Sequence, residues 1–406
     1  MSALQGIKVL ELGQLIAGPF AGTLLGYFGA EVVKVESPQG DPIRSWRTMQ
    51  GDTSLWWRTI SRNKRLLSLD LRTEAGRQIV RELAAQADVL IENFRPGRME
   101  QWGLGPDALA EINPRLVVCR VSGYGQTGPM RQRPGYAAVA EAVGGLRYLT
   151  GDPDGPSKRA NLSIGDTVAG MHAAIGILLA LLHRERGGPA QVVDVSLVES
   201  VLTLLEATLV EASVGVVRQP SGGTITGLAP TGGYPCADGE VVIGANGESV
   251  FRRLCAAMGK PQLGDDPRFV DNPARVAHRW ELDAEIAAWT RTLSVSDCVD
   301  QLAAAGVPAG PVQDAAQILA HPQLVARDFF PEIHVGGQPI VLPELAPRME
   351  KTPGATRFVG GPLGADSAAV LCDWLGIGED RLAELVGAGV VGSHPKKLDR
   401  TGPSQN

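Results

Sequence analysis

An aspartate stands at the start of the most apolar helical segment of this sequence. The run SIGDT at 163–167 leads into a stretch over 166–184 whose small and apolar residues recur at helical spacing. A carboxylate at the start of a helix meets free backbone N–H groups and the positive end of the helix dipole, so its anion is stabilised. We therefore expect Asp166 to be ionised at neutral pH. A helix cap without chemistry explains the same position.

Three further segments have side chains or backbone suited to an anionic ligand. The run SRNKR at 61–65, with Arg58 just before it, concentrates positive charge and is suited to phosphates. The run NFRPGR at 93–98 follows an apolar strand, where α/β folds place ligand loops. The run GYGQTGP at 123–129 matches neither the dinucleotide-binding nor the P-loop glycine spacing. A solvated turn and a strand-to-helix turn are the ordinary alternatives for the first two.

Other familiar catalytic arrangements are not readable. The sequence has no recognisable Ser-His-Asp arrangement and no metal-ligand spacing. Its five cysteines are widely spaced without a CxxC pair, which predicts neither a zinc site nor a disulfide framework and suits a reducing cytoplasm. A net charge of -6 argues against a generally basic nucleic-acid-binding surface.

The first 120 residues alternate between strand and helix patterns. The patterns predict strands at 7–12, 31–36, 66–71, 88–94 and 116–122 and helices at 19–28 and 74–87. Such alternation predicts βαβ units and a parallel sheet with helices on both faces. A strand at 191–195 and one long helix over 197–210 are predicted further along.

Composition changes near Val214. Residues 219–233 are rich in Gly, Ser, Thr and Pro and are predicted to form a loop or linker. A separate α+β unit is predicted beyond it, which starts with the runs at 240–243 and 250–258 and is mostly helical over 274–302. Short strands at 332–335 and 340–342 and helices at 367–375 and 379–386 close the pattern.

Nothing in the sequence predicts a membrane protein. The N-terminal residues lack a basic region followed by a long apolar stretch, so no signal peptide is expected. The apolar run 173–182 is too short to span a bilayer and is predicted to be a buried core helix. Residues 392–406 are polar with two prolines and are predicted to be a disordered tail.

Taken together, the order and spacing of these segments resemble the class III CoA-transferases. That family includes formyl-CoA:oxalate transferase, carnitine CoA-transferase and the succinyl-CoA-dependent dicarboxylate transferases, and the last group is the most similar. The resemblance covers roughly residues 4–390. It rests on GIKVLE at 6–11, AGP at 17–19, GAEVVKVE at 29–36, NKR at 63–65, ADVLIENFRPG at 87–97, GYGQTGP at 123–129, GDTVAG at 165–170, QVVDVSL at 191–197 and GVPAGP at 306–311.

The resemblance implies an α/β fold in which a Rossmann-like large domain with a parallel sheet is joined by long linkers to a smaller α+β domain. It also implies an interlocked homodimer. The predicted large domain takes residues 1–212 and 331–391, the linker and small domain take 213–330, and the tail takes 392–406.

Carried over residue by residue, the resemblance makes Asp166 the catalytic nucleophile and places Trp56 beside the acyl group. It implies no permanently bound cofactor or metal, because the coenzyme A thioester is itself a substrate. CoA contacts would fall on Ile16, Ala17, Leu69, Arg72, Asn93, Phe94, Arg95, Arg133 and Tyr136, and Arg98 is added on charge alone.

Two departures from the family pattern narrow the predicted reaction and its substrates. The related α-methylacyl-CoA racemases carry a catalytic His where this sequence has Tyr136, so the acid/base pair of a racemase is incomplete. The formyl-CoA enzyme has a run of glycines that closes over its intermediate, whereas TGLAP at 226–230 keeps only Gly227. This second departure argues against formyl-CoA and oxalate as substrates.

The predicted activity is transfer of CoA from an acyl-CoA, with succinyl-CoA favoured, to a short dicarboxylic acid. Asp166 would form an anhydride and then an aspartyl-CoA thioester, and backbone N–H groups near Gly227 would hold the oxyanion. An acyl-CoA isomerase of the same fold and an inactive acyl-CoA-binding relative are the alternatives.

A dicarboxylic substrate calls for a basic side chain at its distal carboxylate. Arg44, Arg47 and Arg58 are the candidates, because they lie near Trp56 in the sequence. The alternative is that these arginines are only solvated or contact the phosphates of CoA.

Overall fold

The computed structural model describes residues 2–392, and the chain forms two compact units. Unit 1 contains the described residues up to Leu146, Ala160–Leu205, and those from Pro331 onward. Unit 2 contains Arg147–Arg159 and Glu206–Phe330. The division differs from the predicted boundaries, since it falls at Glu206 and also assigns residues 147–159 to unit 2. Of the predicted tail, only Gly392 is among the described residues.

The strands are β1 Lys8–Glu11, β2 Glu31–Glu36, β3 Met49–Gln50, β4 Thr53–Ser54, β5 Lys64–Leu69, β6 Val89–Glu92, β7 Val117–Ser122, β8 Val192–Ser196, β9 Thr231–Pro235, β10 Glu240–Gly244, β11 Ala309–Pro311, β12 Glu332–Val335, β13 Gln338–Val341 and β14 Val391–Gly392. The α-helices are α1 Ala17–Tyr27, α2 Leu55–Ile60, α3 Glu74–Gln86, α4 Arg98–Gln101, α5 Pro106–Ile112, α6 Ala137–Val143, α7 Leu146–Leu149, α8 Ile164–Glu185, α9 Leu197–Leu202, α10 Thr208–Ser213, α11 Glu248–Ala257, α12 Asn272–Ala277, α13 Arg279–Thr290, α14 Val295–Ala304, α15 Ala315–Leu319, α16 Pro322–Val325, α17 Ser367–Leu375 and α18 Glu379–Gly387.

Unit 1 is built on a seven-stranded sheet in the order β14-β5-β2-β1-β6-β7-β8. All its neighbouring strands are parallel except the edge pair β14 and β5. The predicted parallel sheet is therefore confirmed. Strand order reverses between β1 and β6, so the chain leaves the sheet in opposite directions on the two sides of this point. In doubly wound folds, ligands bind outside the carboxyl ends of the strands at such a reversal.

Helices cover both faces of this sheet. Because successive strand residues point to opposite sides, neighbouring residues of one strand pack into different cores. Leu10 packs on one face against α3 and α17, in a core that includes Leu83 and Leu371. Val9 packs on the other face against α1 and α8, in a core that includes Leu25 and Ile177. The nearly continuous apolar runs of β1 and β2 follow from this burial on both faces.

Helix α8 packs closely against α1 through small residues. A methyl group added at Gly170 would lie 2.7 Å from the carbonyl oxygen of Ala17, so glycine permits this approach. By length and composition α8 could cross a membrane, but its buried side belongs to the core of unit 1, as predicted for residues 173–182. The opposite side of α8 is apolar and exposed.

Unit 2 has a three-stranded antiparallel sheet in the order β11-β10-β9. Helices α11, α13 and α14 pack on it through Phe251, Ile286 and Leu302, each of which is fully buried or nearly so. The predicted loop over 219–233 runs into β9, which begins at Thr231.

One predicted helix is wrong in its extent. The apolar pattern over 197–210 predicts a single helix, but α9 ends at Leu202 and a short 3₁₀ turn, Thr203–Leu205, follows. Glu206 then takes a left-handed backbone conformation with φ 49° before α10 begins. A left-handed residue interrupts the helical hydrogen bonds, and periodicity of side chains does not reveal it.

Candidate active site

The loops that follow the strands on either side of the order reversal surround one cavity of about 210 Å³. Asp166 lines it together with residues from the ends of β1, β6, β7 and β8. The lining residues are Gln14, Leu15, Ile16, Ala17, Asn93, Phe94, Arg95, Pro96, Val121, Ser122, Gly123, Arg131, Arg133, Pro134, Gly135, Tyr136, Asp166 and Leu197.

The loop after β1 is held from two sides. Asn93 accepts a hydrogen bond from the Gln14 N–H at 2.7 Å and donates to the Gln14 carbonyl oxygen at 2.8 Å. Asp41 accepts a hydrogen bond from the N–H of Leu15 at 3.1 Å. Leu15 has φ 63°, a conformation that L residues rarely adopt, and these bonds stabilise it. The loop therefore presents Ile16 and Ala17 to the cavity in a fixed geometry.

Four buried charges lie directly beneath this loop. Lys34 Nζ lies 3.0 Å from Glu11 and 3.1 Å from Asp41, and it donates to the Gly13 carbonyl oxygen at 2.7 Å. Lys64 lies 2.8 Å from the other carboxylate oxygen of Glu11. All four ionic side chains are fully buried, and this set is called the ion cluster below.

Burial and attraction compete in setting the pKa values of the two lysines. Burial acts to lower the pKa of Lys34, but attraction to Glu11 and Asp41 outweighs it, so this pKa lies above its usual value. Burial dominates at Lys64 and lowers its pKa to about 8, although Glu11 opposes the shift. Both lysines are then charged at neutral pH and balance the two carboxylates.

Asp166 lies in the first turn of α8 and is half-buried. The helix begins at Ile164 with Ser163 as its N-cap, so Asp166 follows the cap and does not occupy it. The preceding N–H, that of Gly165, donates to Glu141 at 3.3 Å. Its place in the first helical turn stabilises the anion of Asp166 through the helix dipole.

Three arginines line the same cavity. The guanidinium groups of Arg95, Arg131 and Arg133 form no hydrogen bond or ion pair with any residue in the described part of the chain, and all three residues are exposed. Arg120, in contrast, is bound by Glu92 at 2.7 Å and by Glu100 at 2.7 Å. The three available guanidinium groups suit an anionic ligand such as a phosphate ester.

A second cavity of about 280 Å³ lies on the other side of the first turn of α8. Ile16 lines both cavities, so they are neighbours. The walls of the second cavity are mostly aliphatic and aromatic. Its lining consists of Ile16, Phe20, Arg47, Trp56, Thr59, Ile60, Leu162, Ser163, Ile164, Thr167 and Val168.

The structure brings most of the predicted CoA-binding residues together around the first cavity with Asp166. These are Ile16, Ala17, Asn93, Phe94, Arg95, Arg133 and Tyr136. Three others lie outside its lining. Leu69 is fully buried in the core, Arg72 pairs with Asp70 at 2.7 Å, and Arg98 stacks on Trp102.

The predicted substrate residues fall in different places. Trp56 lines the second cavity, whereas Arg58 lies outside that lining and donates to the Gly360 carbonyl oxygen at 2.9 Å. Gly227 belongs to unit 2, where its φ of 80° requires glycine and its carbonyl oxygen accepts a hydrogen bond from Asn272 at 2.9 Å. The role of Gly227 as an oxyanion donor stays a prediction.

Sequence reasoning missed several lining residues. Ser122 lies at the end of β7, and its buried hydroxyl has no hydrogen-bond partner within residues 2–392. Arg131 is two residues before the predicted Arg133, and the shared positive charge of this short run was the available signal. Gln14 and Leu15 directly precede the predicted Ile16. Over the described residues, no group of three or more His, Cys, Asp or Glu side chains is arranged to hold a metal ion.

Comparisons with known proteins identify the family. The model of CoA-transferase family III matches residues 4–367. The chain is 43% identical to succinyl-CoA–D-citramalate CoA-transferase of Chloroflexus aurantiacus, over 96% of this chain and 98% of the relative. It is 32% identical to succinyl-CoA:glutarate CoA-transferase of Homo sapiens, over 96% of this chain and 90% of the relative.

A solved structure agrees with these relationships. The crystal structure of a CAIB/BAIF family protein from Brucella suis matches with a TM-score of 0.82 and 33% identity, covering 92% of this chain and 99% of that one. The resemblance first seen in the motif order is thereby confirmed over nearly the whole chain. With its α/β fold and its match over residues 4–367, this protein belongs to CoA-transferase family III and is a CoA-transferase.

Proposed function

We propose that the enzyme transfers CoA from succinyl-CoA to a second short dicarboxylic acid, with Asp166 as the nucleophile. The observation that carries the proposal is the cavity in which Asp166 and three available arginines lie together, next to a second, mostly apolar cavity. The first suits the anionic CoA portion and the second suits an acyl chain. The names of the relatives, which use succinyl-CoA with citramalate or glutarate, support the substrate class.

The reaction proceeds by two displacements on Asp166. An oxygen of its carboxylate bonds to the thioester carbonyl carbon, the C–S bond breaks, and CoA leaves as a thiolate. The thiolate then attacks the side-chain carbonyl carbon of Asp166 in the mixed anhydride and releases succinate, which leaves an aspartyl-CoA thioester. The acceptor carboxylate repeats both steps in reverse order and restores the free carboxylate. The energy of the thioester is conserved throughout, so no ATP is required.

Two consequences follow for the site. The anhydride is sensitive to hydrolysis, so water must be excluded while it exists. The half-buried position of Asp166 beside an apolar cavity supports this requirement. No resident cofactor enters the scheme, since the CoA thioester is consumed and regenerated as a substrate and product.

The function is tested by incubating the enzyme with succinyl-CoA and, separately, glutarate, itaconate, mesaconate, malate and citramalate. Mass spectrometry should show a new acyl-CoA with at least one acceptor and an equal amount of succinate. Loss of deuterium from the α-carbon of an acyl-CoA, without exchange of the acid, would instead identify an isomerase. The incomplete acid/base pair at Tyr136 favours the transferase.

Removing an arginine that lines the first cavity should weaken the binding of all acyl-CoA substrates alike. We expect Arg131→Met and Arg133→Met each to raise KM for acyl-CoA about 2- to 10-fold with little change in kcat, because a solvent-exposed phosphate contact contributes equally to the ground state and the transition state. Added salt should reduce the difference from wild type. Arg381→Met, which removes an exposed arginine paired with Glu384 on α18, is the matched control. An unchanged KM in both cavity variants would remove these arginines from the CoA site.

We also propose a homodimer in which the exposed side of α8 is covered by a second copy of this chain. Apolar residues recur there at helical spacing, at Met171, Ile175, Leu178, Leu179 and Leu182. Exposed apolar surface of this kind marks an association site. The interlocked architecture implied by the family resemblance supplies the occupant.

Sedimentation should therefore give a dimer whose mass does not change on dilution to micromolar concentration, because interlocked chains cannot separate without unfolding. The double variant Ile175→Glu/Leu179→Glu should yield aggregated or monomeric protein, since charge cannot be buried there without a partner. A monomeric wild-type protein would contradict the proposal.

The enzyme is proposed to be cytoplasmic. The five cysteines form no disulfide in the described chain, and Cys119, Cys255 and Cys298 are buried as free thiols. This arrangement suits a reducing compartment.

A further inference from the structure

The second cavity contains a single charged residue. Its described lining is otherwise formed by apolar side chains and by Thr59, Ser163 and Thr167, and the charged residue is Arg47. Four of the lining residues, at 163, 164, 167 and 168, belong to the first turns of α8 or to its cap and flank Asp166 in the sequence. An acyl chain bonded to Asp166 has this cavity immediately beside it. A carboxylate at the far end of that chain would be costly to bury there without a counter-ion.

The structure separates the three arginines that the sequence left as equal candidates. Arg44 is already bound by Glu36 through two contacts of 2.7 Å, and it stacks on the buried Trp57. Arg58 donates to the Gly360 carbonyl oxygen and lies outside the lining of the cavity. The guanidinium group of Arg44 is therefore already paired with a carboxylate, and neither Arg44 nor Arg58 lines the cavity.

Arg47 differs from both. Its guanidinium lies 4.0 Å from the centre of the Trp56 ring, and it forms no hydrogen bond or ion pair with any other residue between 2 and 392. Stacking on an aromatic ring orients the guanidinium plane while leaving its N–H groups available. A planar guanidinium can then bind a carboxylate through two parallel hydrogen bonds.

The backbone around Arg47 is held on both sides. Ser54 donates to the Trp46 carbonyl oxygen, and the N–H of Leu55 donates to the Thr48 carbonyl oxygen at 2.9 Å. Between these bonds Arg47 has φ 60°, a left-handed conformation that is uncommon for a residue with a side chain. Strain of this kind is concentrated at functional sites, where the surrounding structure maintains it.

From these observations we propose that Arg47 binds the distal carboxylate of the acyl group and thereby determines the preference of the enzyme for dicarboxylic over monocarboxylic substrates. The inference rests on the proposed function, because it assumes that the acyl group reacts at Asp166. It assigns the distal-carboxylate role to Arg47 in place of Arg44 and Arg58.

The test compares two donors of equal chain length, succinyl-CoA and butyryl-CoA, with one fixed acceptor. In a double-displacement scheme kcat/KM for the donor reports the donor half-reaction. Loss of a charged hydrogen bond to the distal carboxylate should lower the ratio of kcat/KM for succinyl-CoA over butyryl-CoA about 10- to 150-fold in Arg47→Met. Butyryl-CoA should be little affected, since it has no distal charge. Arg47→Lys should retain part of the ratio, because it keeps the charge without the fork geometry.

Two further variants make the result specific. Arg133→Met, in the first cavity, should lower kcat/KM for both donors alike and leave their ratio unchanged. Arg47→Gly removes the guanidinium and introduces a residue that readily adopts the left-handed backbone conformation. It should lower the ratio of kcat/KM for succinyl-CoA over butyryl-CoA as much as Arg47→Met does. Agreement between the two variants shows that the effect comes from loss of the guanidinium and not from a folding defect. A ratio that is unchanged in both Arg47→Met and Arg47→Gly would overturn the assignment of Arg47. Transfer of CoA from succinyl-CoA by the wild-type enzyme would still support the proposed function in that case. A wild-type enzyme that transfers CoA from neither donor overturns both.

Discussion

Asp166→Ala is expected to abolish CoA transfer while leaving the protein folded. Turnover with succinyl-CoA should fall by roughly 10⁴-fold or more, the scale on which removal of a covalent nucleophile acts. The free energy of unfolding should decrease by no more than about 2 kcal/mol, because a carboxylate in the first turn of a helix contributes about 0.3–1 kcal/mol through the helix dipole and a polar contact contributes about 1 kcal/mol. Steady-state kinetics and circular dichroism of the purified variant provide the two measurements.

A trapping experiment connects the lost activity to the covalent intermediate. Wild-type enzyme exposed to acyl-CoA and then to hydroxylamine should carry one hydroxamate, located by mass spectrometry on the peptide that contains Asp166. Asp107→Ala is the matched control, because it removes an exposed carboxylate from the first turn of another helix, α5, outside the cavity lining. Turnover in Asp166→Ala close to that of Asp107→Ala would show that Asp166 is not the nucleophile.

Of the substitutions proposed for this protein, Lys34→Met should cause the largest decrease in the free energy of unfolding. The substitution leaves the buried carboxylates of Glu11 and Asp41 with Lys64 as the remaining cation of the ion cluster. Removal of one partner from a buried ion pair generally destabilises a protein by about 3–5 kcal/mol, since the remaining charge has no compensation. Thermal unfolding at pH 7 and fixed protein concentration should show a decrease in Tm of several degrees or more.

The same variant should also raise KM for acyl-CoA, because Lys34 holds the Gly13 carbonyl oxygen and Asp41 holds Leu15, next to the cavity-lining Ile16. Lys158→Met removes a lysine whose ion pair with Asp152 is solvent-exposed, and it should change stability by less than about 1 kcal/mol. If the two lysine variants unfold at the same temperature, the ion cluster does not contribute as argued.

Local patterns predicted the elements that need only short-range information. β2 is found at Glu31–Glu36 and α17 at Ser367–Leu375, the positions predicted from apolar spacing and turn residues. β2 is a short, nearly continuous apolar run, and α17 has apolar residues at helical spacing and ends at the left-handed Gly376. The prediction of one continuous helix over 197–210 was wrong, because the left-handed φ of Glu206 interrupts the helix while the apolar spacing continues past it. Strand β9 was hidden because its sequence, TGGYP, consists mainly of turn-forming residues.

The sequence by itself predicted the family from the order of its motifs, the parallel sheet from the apolar patterns, and Asp166 as a candidate nucleophile from its place at the start of a helix and the family resemblance. Each of these signals can be read along the chain without knowledge of the tertiary structure. Only the tertiary structure decided which side chains share a cavity. Arg44, Arg47 and Arg58 have the same charge and lie within 15 positions of each other. Arg44 binds Glu36 and the Gly361 carbonyl oxygen, Arg58 binds the Gly360 carbonyl oxygen, and both glycines are distant in sequence. The availability of a guanidinium group depends on such long-range partners, so Arg47 was distinguished only when the fold brought them together.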